Sequence, residues 1–229
     1  MGESLLEDYN YSNTTKMDEI LTERQSNFID YKLTKSDITC LDVGSGSGRF
    51  SLPLYLKGVD IFAVDHSLIS LIKLHEKEKN IPAIMSDAQK LPFKDSFFDV
   101  IIGIQLIHYL NPDLFLSECI RILKDGGYLL LTLGNRRSYK GFYQKLNSKL
   151  MRKTHHTTFY RLSYGEIKEK LIKNGFYLEC SHGFNWLPVK GNSNSNLLSY
   201  FMYLERLFRL HRLPSISPWI FIIAKKVKH

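Results

Sequence analysis

Apolar residues in this chain fall into short, nearly continuous runs, separated by stretches where they recur every three or four positions. The runs Ile38–Val43, Asp60–Val64, Ala83–Met85, Phe98–Ile104, Tyr128–Leu133, Phe176–Ser181 and Trp219–Ala224 read as strands. A run such as Phe98–Ile104, apolar but for Asp99 near its start, is what a strand covered on both faces shows. Helical patterns lie between the runs. Ile20, Leu21, Arg24, Phe28 and Tyr31 share a face and predict a capping helix before the first strand, behind a polar arm over residues 1–15. A helix over Arg49–Lys57 accommodates Pro53 only in its first turn, and Gly58 stops it. Ser67 is expected to cap a helix that faces inward with Leu68, Leu71, Ile72 and His75. Asp113 is expected to cap one that faces inward with Phe115, Cys119, Ile122 and Leu123. Tyr164–Asn174 completes the set, closed by Gly175. This alternation predicts a single α/β domain built on a doubly wound, mainly parallel seven-stranded sheet.

Two segments break the alternation late in the chain, Gly134–Leu162 and Gly183–Pro218. Both are read as helical insertions, placed where open α/β sheets build ligand sites. The second is apolar nearly all round from Leu197 to Leu210 and follows a Gly191–Asn196 hinge. It reads as a lid with Phe201, Leu204 and Phe208 turned toward an apolar substrate.

The candidate chemistry starts at Leu41–Phe50, where a strand ends and three glycines, Gly44, Gly46 and Gly48, alternate before a helix. Such a loop brings backbone and ligand together at a strand–helix junction. A dinucleotide fingerprint requires its third glycine where Arg49 stands. Asp42 repels a pyrophosphate but suits a ligand carrying an ammonium and a sulfonium, such as S-adenosyl-L-methionine.

With four further motifs, this loop resembles the class I S-adenosylmethionine-dependent methyltransferases, in particular the small-molecule group that includes quinone C-methyltransferases. The motifs are Val64–Ser67, Ser86–Ala88 followed by Leu91–Phe93, Phe98–Val100 leading to His108, and Ile122–Tyr128; the resemblance spans Ile38 to Leu133. It implies a Rossmann-like methyltransferase fold. It also implies that Asp65 accepts the ribose hydroxyls, that Asp87 and the Ala88 amide hold the adenine, and that the glycines shape the methionine pocket. Gln105 falls where the cofactor and acceptor pockets meet, and Asp42 joins the cofactor set. His108 is the candidate base for an oxygen or nitrogen acceptor, with substrate positioning as the alternative role. The Asn-Pro-Pro-Tyr signature of DNA adenine and protein glutamine enzymes is replaced by Gly103–Leu106, and no loop cysteine suits attack on a pyrimidine ring.

Charge widens the choice of partner. The net charge is +8, and its excess sits late, from Arg136 to Lys153 and from Arg206 onward. A small-molecule or lipid-linked acceptor leads, with peripheral membrane contact in keeping with the basic segments. RNA is the alternative, on Tyr139, Phe142, Tyr143, Phe159 and Tyr160 among the basic residues, though no attached RNA-binding module is expected from these 229 residues. A non-catalytic cofactor-binding subunit is the third reading. Cys40, Cys119 and Cys180 lack metal-ligand spacing and read as core residues of a reducing compartment, and no metal is expected. With neither a signal peptide nor a membrane-spanning run, a cytoplasmic location is expected.

Overall fold

The computed structural model describes residues 15–33, 38–150, 161–186 and 193–227. The expected arm before Thr15, Phe159 and Tyr160, and the first two residues of the 191–196 hinge lie outside them.

Seven strands form one sheet: β1 (Thr39–Val43), β2 (Asp60–Asp65), β3 (Ala83–Met85), β4 (Phe98–Gly103), β5 (Leu123–Gly134), β6 (Phe176–Phe184) and β7 (Trp219–Lys226). Their order is β3-β2-β1-β4-β5-β7-β6. Neighbours run parallel from β3 through β5, and β7 lies antiparallel between β5 and β6. The chain reverses direction across the sheet between β1 and β4, the switch point at which open α/β sheets bind ligands. The helices are α1 (Lys16–Asp30), α2 (Ser51–Leu56), α3 (Leu68–Lys77), α4 (Pro112–Ile122), α5 (Tyr139–Leu150), α6 (Tyr164–Lys173) and α7 (Leu197–Leu207).

Strand alternation divides the core in two. Leu41, Val43, Ile101, Leu129 and Leu131 pack against Phe115, Cys119 and Ile122 of α4 and Ile167 and Leu171 of α6. On the other face Cys40, Ile61, Val100, Ile102 and Leu130 meet Phe28 and Ile29 of α1, Leu54 of α2 and Leu74 of α3. Burying both faces explains the nearly continuous apolar runs.

Several local expectations are corrected. Asn111, not Asp113, caps α4: its side chain accepts the Asp113 amide, with Pro112 in the first turn. The Asp113 carboxylate turns outward to Lys170 of α6, at 2.6 Å. Helix α3 buries Leu71 and Leu74, whereas Leu68 and Ile72 are 56% and 50% exposed. It covers the three-residue edge strand β3, which offers only a narrow strip of sheet. Tyr31 is 65% exposed as the C-cap of α1, and the inward positions of that helix are Met17, Gln25, Phe28 and Ile29. Leu123, buried as expected, caps α4 through its amide bond to the Cys119 carbonyl and also opens β5, and β6 continues to Phe184 because its ladder with β7 persists through Gly183–Ile220 and Phe184–Trp219.

Candidate functional site

The carboxyl ends of β1, β2 and β3 are joined by hydrogen bonds. The Gly44 and Ser45 amides donate to the Val64 carbonyl at 2.8 and 3.0 Å, and the Ser86 amide donates to the Asp65 carbonyl at 3.1 Å. The Asp65 carboxylate accepts the Gly46 amide through Oδ2 and the Ser67 amide through Oδ1, each at 2.8 Å. The acid at the end of β2 thus holds the glycine loop while lying 8% exposed at the ligand edge.

The three glycines serve different ends. A Cβ on Gly44 would come within 2.9 Å of Leu106 Cδ1, and one on Gly48 within 2.4 Å of Leu74 Cδ1, so these two allow close packing. Gly46, at φ +53°, has nothing within 4 Å of such a Cβ. It is the open point of the loop, where a ligand can approach the backbone.

Asp42 faces the α2 side of the sheet, 1% exposed, and its Oδ2 accepts the Ser51 hydroxyl at 2.6 Å. Burial pushes its carboxyl up to about 7, the Ser51 bond opposes this, and the Asp65 charge adds to it. A cation placed nearby relieves both burial and repulsion, which is the complement a sulfonium or ammonium supplies.

Asp87 is exposed after β3 and folds into an Asx turn, accepting the Gln89 amide at 2.9 Å, while Ala88 is buried. The Gln89 side chain in turn accepts the Asn111 amide at 3.0 Å, tying this loop to α4. Gln105 leaves β4 in the left-handed region, φ +58°, its amide donating to the buried Thr132 hydroxyl at 2.8 Å. Backbone held in that region is characteristic of ligand clamps. His108 lies in the short 3-10 turn Ile107–Tyr109 and is 6% exposed. Burial, and then the Arg161 guanidinium, lower its imidazole to about 4, so it is neutral at neutral pH. Arg161 also donates to the His108 carbonyl at 3.1 Å.

Sequence reading missed the groups that fasten the cap. Arg49 reaches from the glycine loop to Thr22 Oγ1 and Gln25 Oε1 of α1, at 2.6 and 2.9 Å, and Lys77 donates to the Ser47 carbonyl at 2.8 Å. Glu205 of α7 is buried, pairs with Arg24 of α1 at 2.5 Å and accepts the Trp186 amide at 2.6 Å. Lys140 of α5 donates to Asn185 Oδ1 at 3.2 Å, and burial lowers its ammonium to about 8 despite the Glu205 charge. One signal pointed here: Glu205 is the sole acid between residues 180 and 229. The lid expectation is partly redirected. Phe201 packs with Met17 and Leu198 between α7 and α1, and Phe208, the C-cap of α7, is 65% exposed.

Residues 41–131 match the family of methyltransferase domains. The demethylmenaquinone methyltransferase of Renibacterium salmoninarum is 34% identical over 113 residues, 49% of this chain and 48% of that one. The phthiotriol/phenolphthiotriol dimycocerosates methyltransferase 1 of Mycobacterium ulcerans is 42% identical over 100 residues, 42% of this chain and 35% of that one. The chain thus spans about half the length, or less, of these curated relatives. A SAM-dependent methyltransferase structure from Methanosarcina mazei superposes with a TM-score of 0.66 at 19% identity, over 88% of this chain and 98% of that one. Residues 41–131 thus match methyltransferase domains in sequence, and the seven-stranded fold is the one that the solved SAM-dependent methyltransferase shows.

Proposed function

We propose that the protein transfers the methyl group of S-adenosylmethionine to an apolar small-molecule or lipid-linked acceptor. The observation that carries this reading is the joined strand edge, with Gly46 unpacked, its amide held by Asp65, and Asp42 buried near the end of β1. Asp42, Gly44, Gly46, Gly48 and Asp65 would hold the methionine and ribose parts, and Asp87, Ala88 and Gln105 the adenine side and the boundary with the acceptor. When bound, the cofactor supplies a methyl group already activated by its positive sulfur, so the acceptor–methyl bond forms as the sulfur–methyl bond breaks. The protein's share is alignment and exclusion of water, worth several kcal/mol in well-oriented reactions.

His108 would accept the proton of a hydroxyl or amine acceptor. A base of pKa about 4 is weak, but neutral and ready to accept at neutral pH. An acceptor's proton becomes far more acidic as the methyl bond forms, so a weak base suffices at that moment. The acceptor site falls to residues 134–162 and 183–218, which follow the carboxyl ends of β5 and β6 at this same edge. Two relatives named for a menaquinone precursor and for a mycocerosate lipid favour an apolar acceptor. The test is incubation with methyl-labelled cofactor and an extract of the source cells. Label in the organic-soluble fraction is expected, whereas label confined to RNA, or bound cofactor with no transfer, overturns the reading.

A further inference from the structure

Helices α5 and α7 each turn an apolar stripe toward solvent. On α5 it is Tyr139, Phe142, Tyr143 and Leu146, 45%, 68%, 64% and 47% exposed. Their spacing of i, i+3, i+4 and i+7 puts all four on one face. On α7 it is Leu197, Tyr200, Tyr203 and Leu207, 60%, 58%, 60% and 57% exposed, opposite the side that buries Leu198 and Glu205. Single exposed apolar residues are ordinary, but aligned stripes of four on two helices mark a contact surface. The helices are neighbours: the Tyr139 hydroxyl donates to the Trp186 carbonyl at 3.1 Å, and Glu205 accepts the Trp186 amide.

The charge around the stripes has one sign. Residues 126–165 hold eight Lys and Arg and no Asp or Glu, and residues 206–229 hold six and none. Arg137 and Lys145 are exposed on the α5 side, and Arg206, Arg209 and Arg212 at and beyond the end of α7. Arg206 also lines a surface hollow with Ser199, Met202, Tyr203 and Leu207, so a basic head stands beside an apolar floor. The nearby acids are engaged or peripheral. Glu205 turns inward to Arg24, Glu166 pairs with Arg136, and Glu19 of α1 lies beside the first turn of α7.

We infer that the outer faces of α5 and α7 form a docking surface for an anionic lipid bilayer, seating the ligand edge of the sheet at the membrane. Aromatic and aliphatic side chains enter the headgroup boundary while arginines and lysines meet lipid phosphates, the pattern of helices that lie in an interface. Single-stranded RNA would use the aromatic rings but has no partner for Leu146, Leu197 and Leu207. Among the described residues no helix is long and apolar enough to cross a membrane, so the contact is peripheral.

The surface goes beyond the proposed acceptor and is tested without it. The full chain is floated with phosphatidylcholine vesicles containing or lacking phosphatidylglycerol, with no cofactor present. Binding to the anionic vesicles, weakened by salt, is expected. Tyr203→Glu with Leu207→Glu, and Phe142→Glu with Tyr143→Glu, should each cut it at least about tenfold, as should Arg206→Gln with Arg212→Gln. Melting temperature and S-adenosylhomocysteine affinity should hold in all three, which separates lost docking from lost folding. No vesicle binding, equal binding to neutral vesicles, displacement by tRNA, or a dimer that the stripe variants dissociate would each overturn the inference. Failure here leaves transfer to a soluble acceptor untouched, and failure of the acceptor reading leaves vesicle binding intact.

Discussion

Asp42→Asn separates what this carboxylate does for the ligand from what it costs the fold. The native carboxyl keeps its proton up to about pH 7. In the unfolded chain an aspartate loses it near pH 4. Between those values the unfolded state gains by ionising and the native state does not. Asp42 therefore lends stability that is fully present below about pH 4 and is lost as the pH rises through about 7. At 1.36 kcal/mol for each pH unit, the loss amounts to about 4 kcal/mol. Asparagine keeps an oxygen for the Ser51 hydroxyl but brings an amide group needing acceptors, at a cost of about 1–3 kcal/mol if it finds none. The variant should be more stable than the wild type by about 1–3 kcal/mol at pH 8, and less stable near pH 4. For 229 residues each kcal/mol moves the melting temperature by about 2–4 °C.

Melting curves from about pH 4 to pH 8 should therefore cross. A difference between variant and wild type that stays constant over that range refutes the reasoning. Ligand binding gives a second readout. If a cation sits by Asp42, wild-type affinity for S-adenosylmethionine falls as pH drops below about 7, and calorimetry in buffers of different ionisation heat shows proton release. The asparagine variant should bind more weakly and lose that pH dependence.

The glycine loop predicts an inversion of effects: Gly46→Ala should cost only the left-handed strain of about 1–2 kcal/mol yet impair cofactor binding, because its side chain meets nothing but ligand space. Gly48→Ala, whose Cβ would strike Leu74, should cost more in denaturant melts; equal costs would mean the packing argument is wrong. His108→Ala should lower turnover while leaving cofactor affinity unchanged, and the wild-type rate should show no inflection near pH 6.5 from this residue. Because the native imidazole is lowered to about 4, its stabilisation is present above about pH 6.5 and fades as pH falls toward 4, a slope the variant should lack. Asp65→Ala removes the acceptor of two amides and should weaken cofactor binding by about 1–3 kcal/mol, with a comparable loss of stability. Unchanged affinity in calorimetry would place the ribose elsewhere.

The sheet and its ligand edge were legible because two-sided burial leaves a simple record. Strands flanked by helices on both faces keep nearly continuous apolar runs, and Phe98–Gly103 and Leu129–Leu133, each with one polar residue, could be little else. The loop was legible for a related reason: alternating glycines after a strand have few other uses. Less legible were features set by competition between neighbours. Asn111 and Asp113 are both good caps, and Pro112 at the first helical position decided for Asn111. The inward face of α3 turned on which residue sits beneath Gly48, a contact between elements that local periodicity does not carry. Arg49 was read for the dinucleotide pattern it excludes, while its clasp on Thr22 and Gln25 depends on where α1 lies over the loop.

The two ways α1 is fastened explain why one part of the edge is rigid and the other is not built to be. Toward the sheet, Phe28 and Ile29 join a continuous apolar layer, Phe28 stacks on Phe221 at 4.5 Å, and Arg49 locks the glycine loop beneath. Toward α7, the buried apolar contact is small, Met17 and Leu198 with Ile20, Leu21 and Phe201 around them, and Leu21 links it to the main layer beneath α1. What adds to it is polar: Arg24 to Glu205, and Glu205 to the Trp186 amide. A segment with few buried apolar contacts opens at lower free energy than one belonging to the main core. A charged pair gives it a defined seat, since leaving Glu205 buried without Arg24 would be costly. The cofactor side of the cap is thus tied into the core. The α7 side rests on the Arg24–Glu205 pair and a small apolar contact, and so opens at lower free energy than the side packed on the sheet.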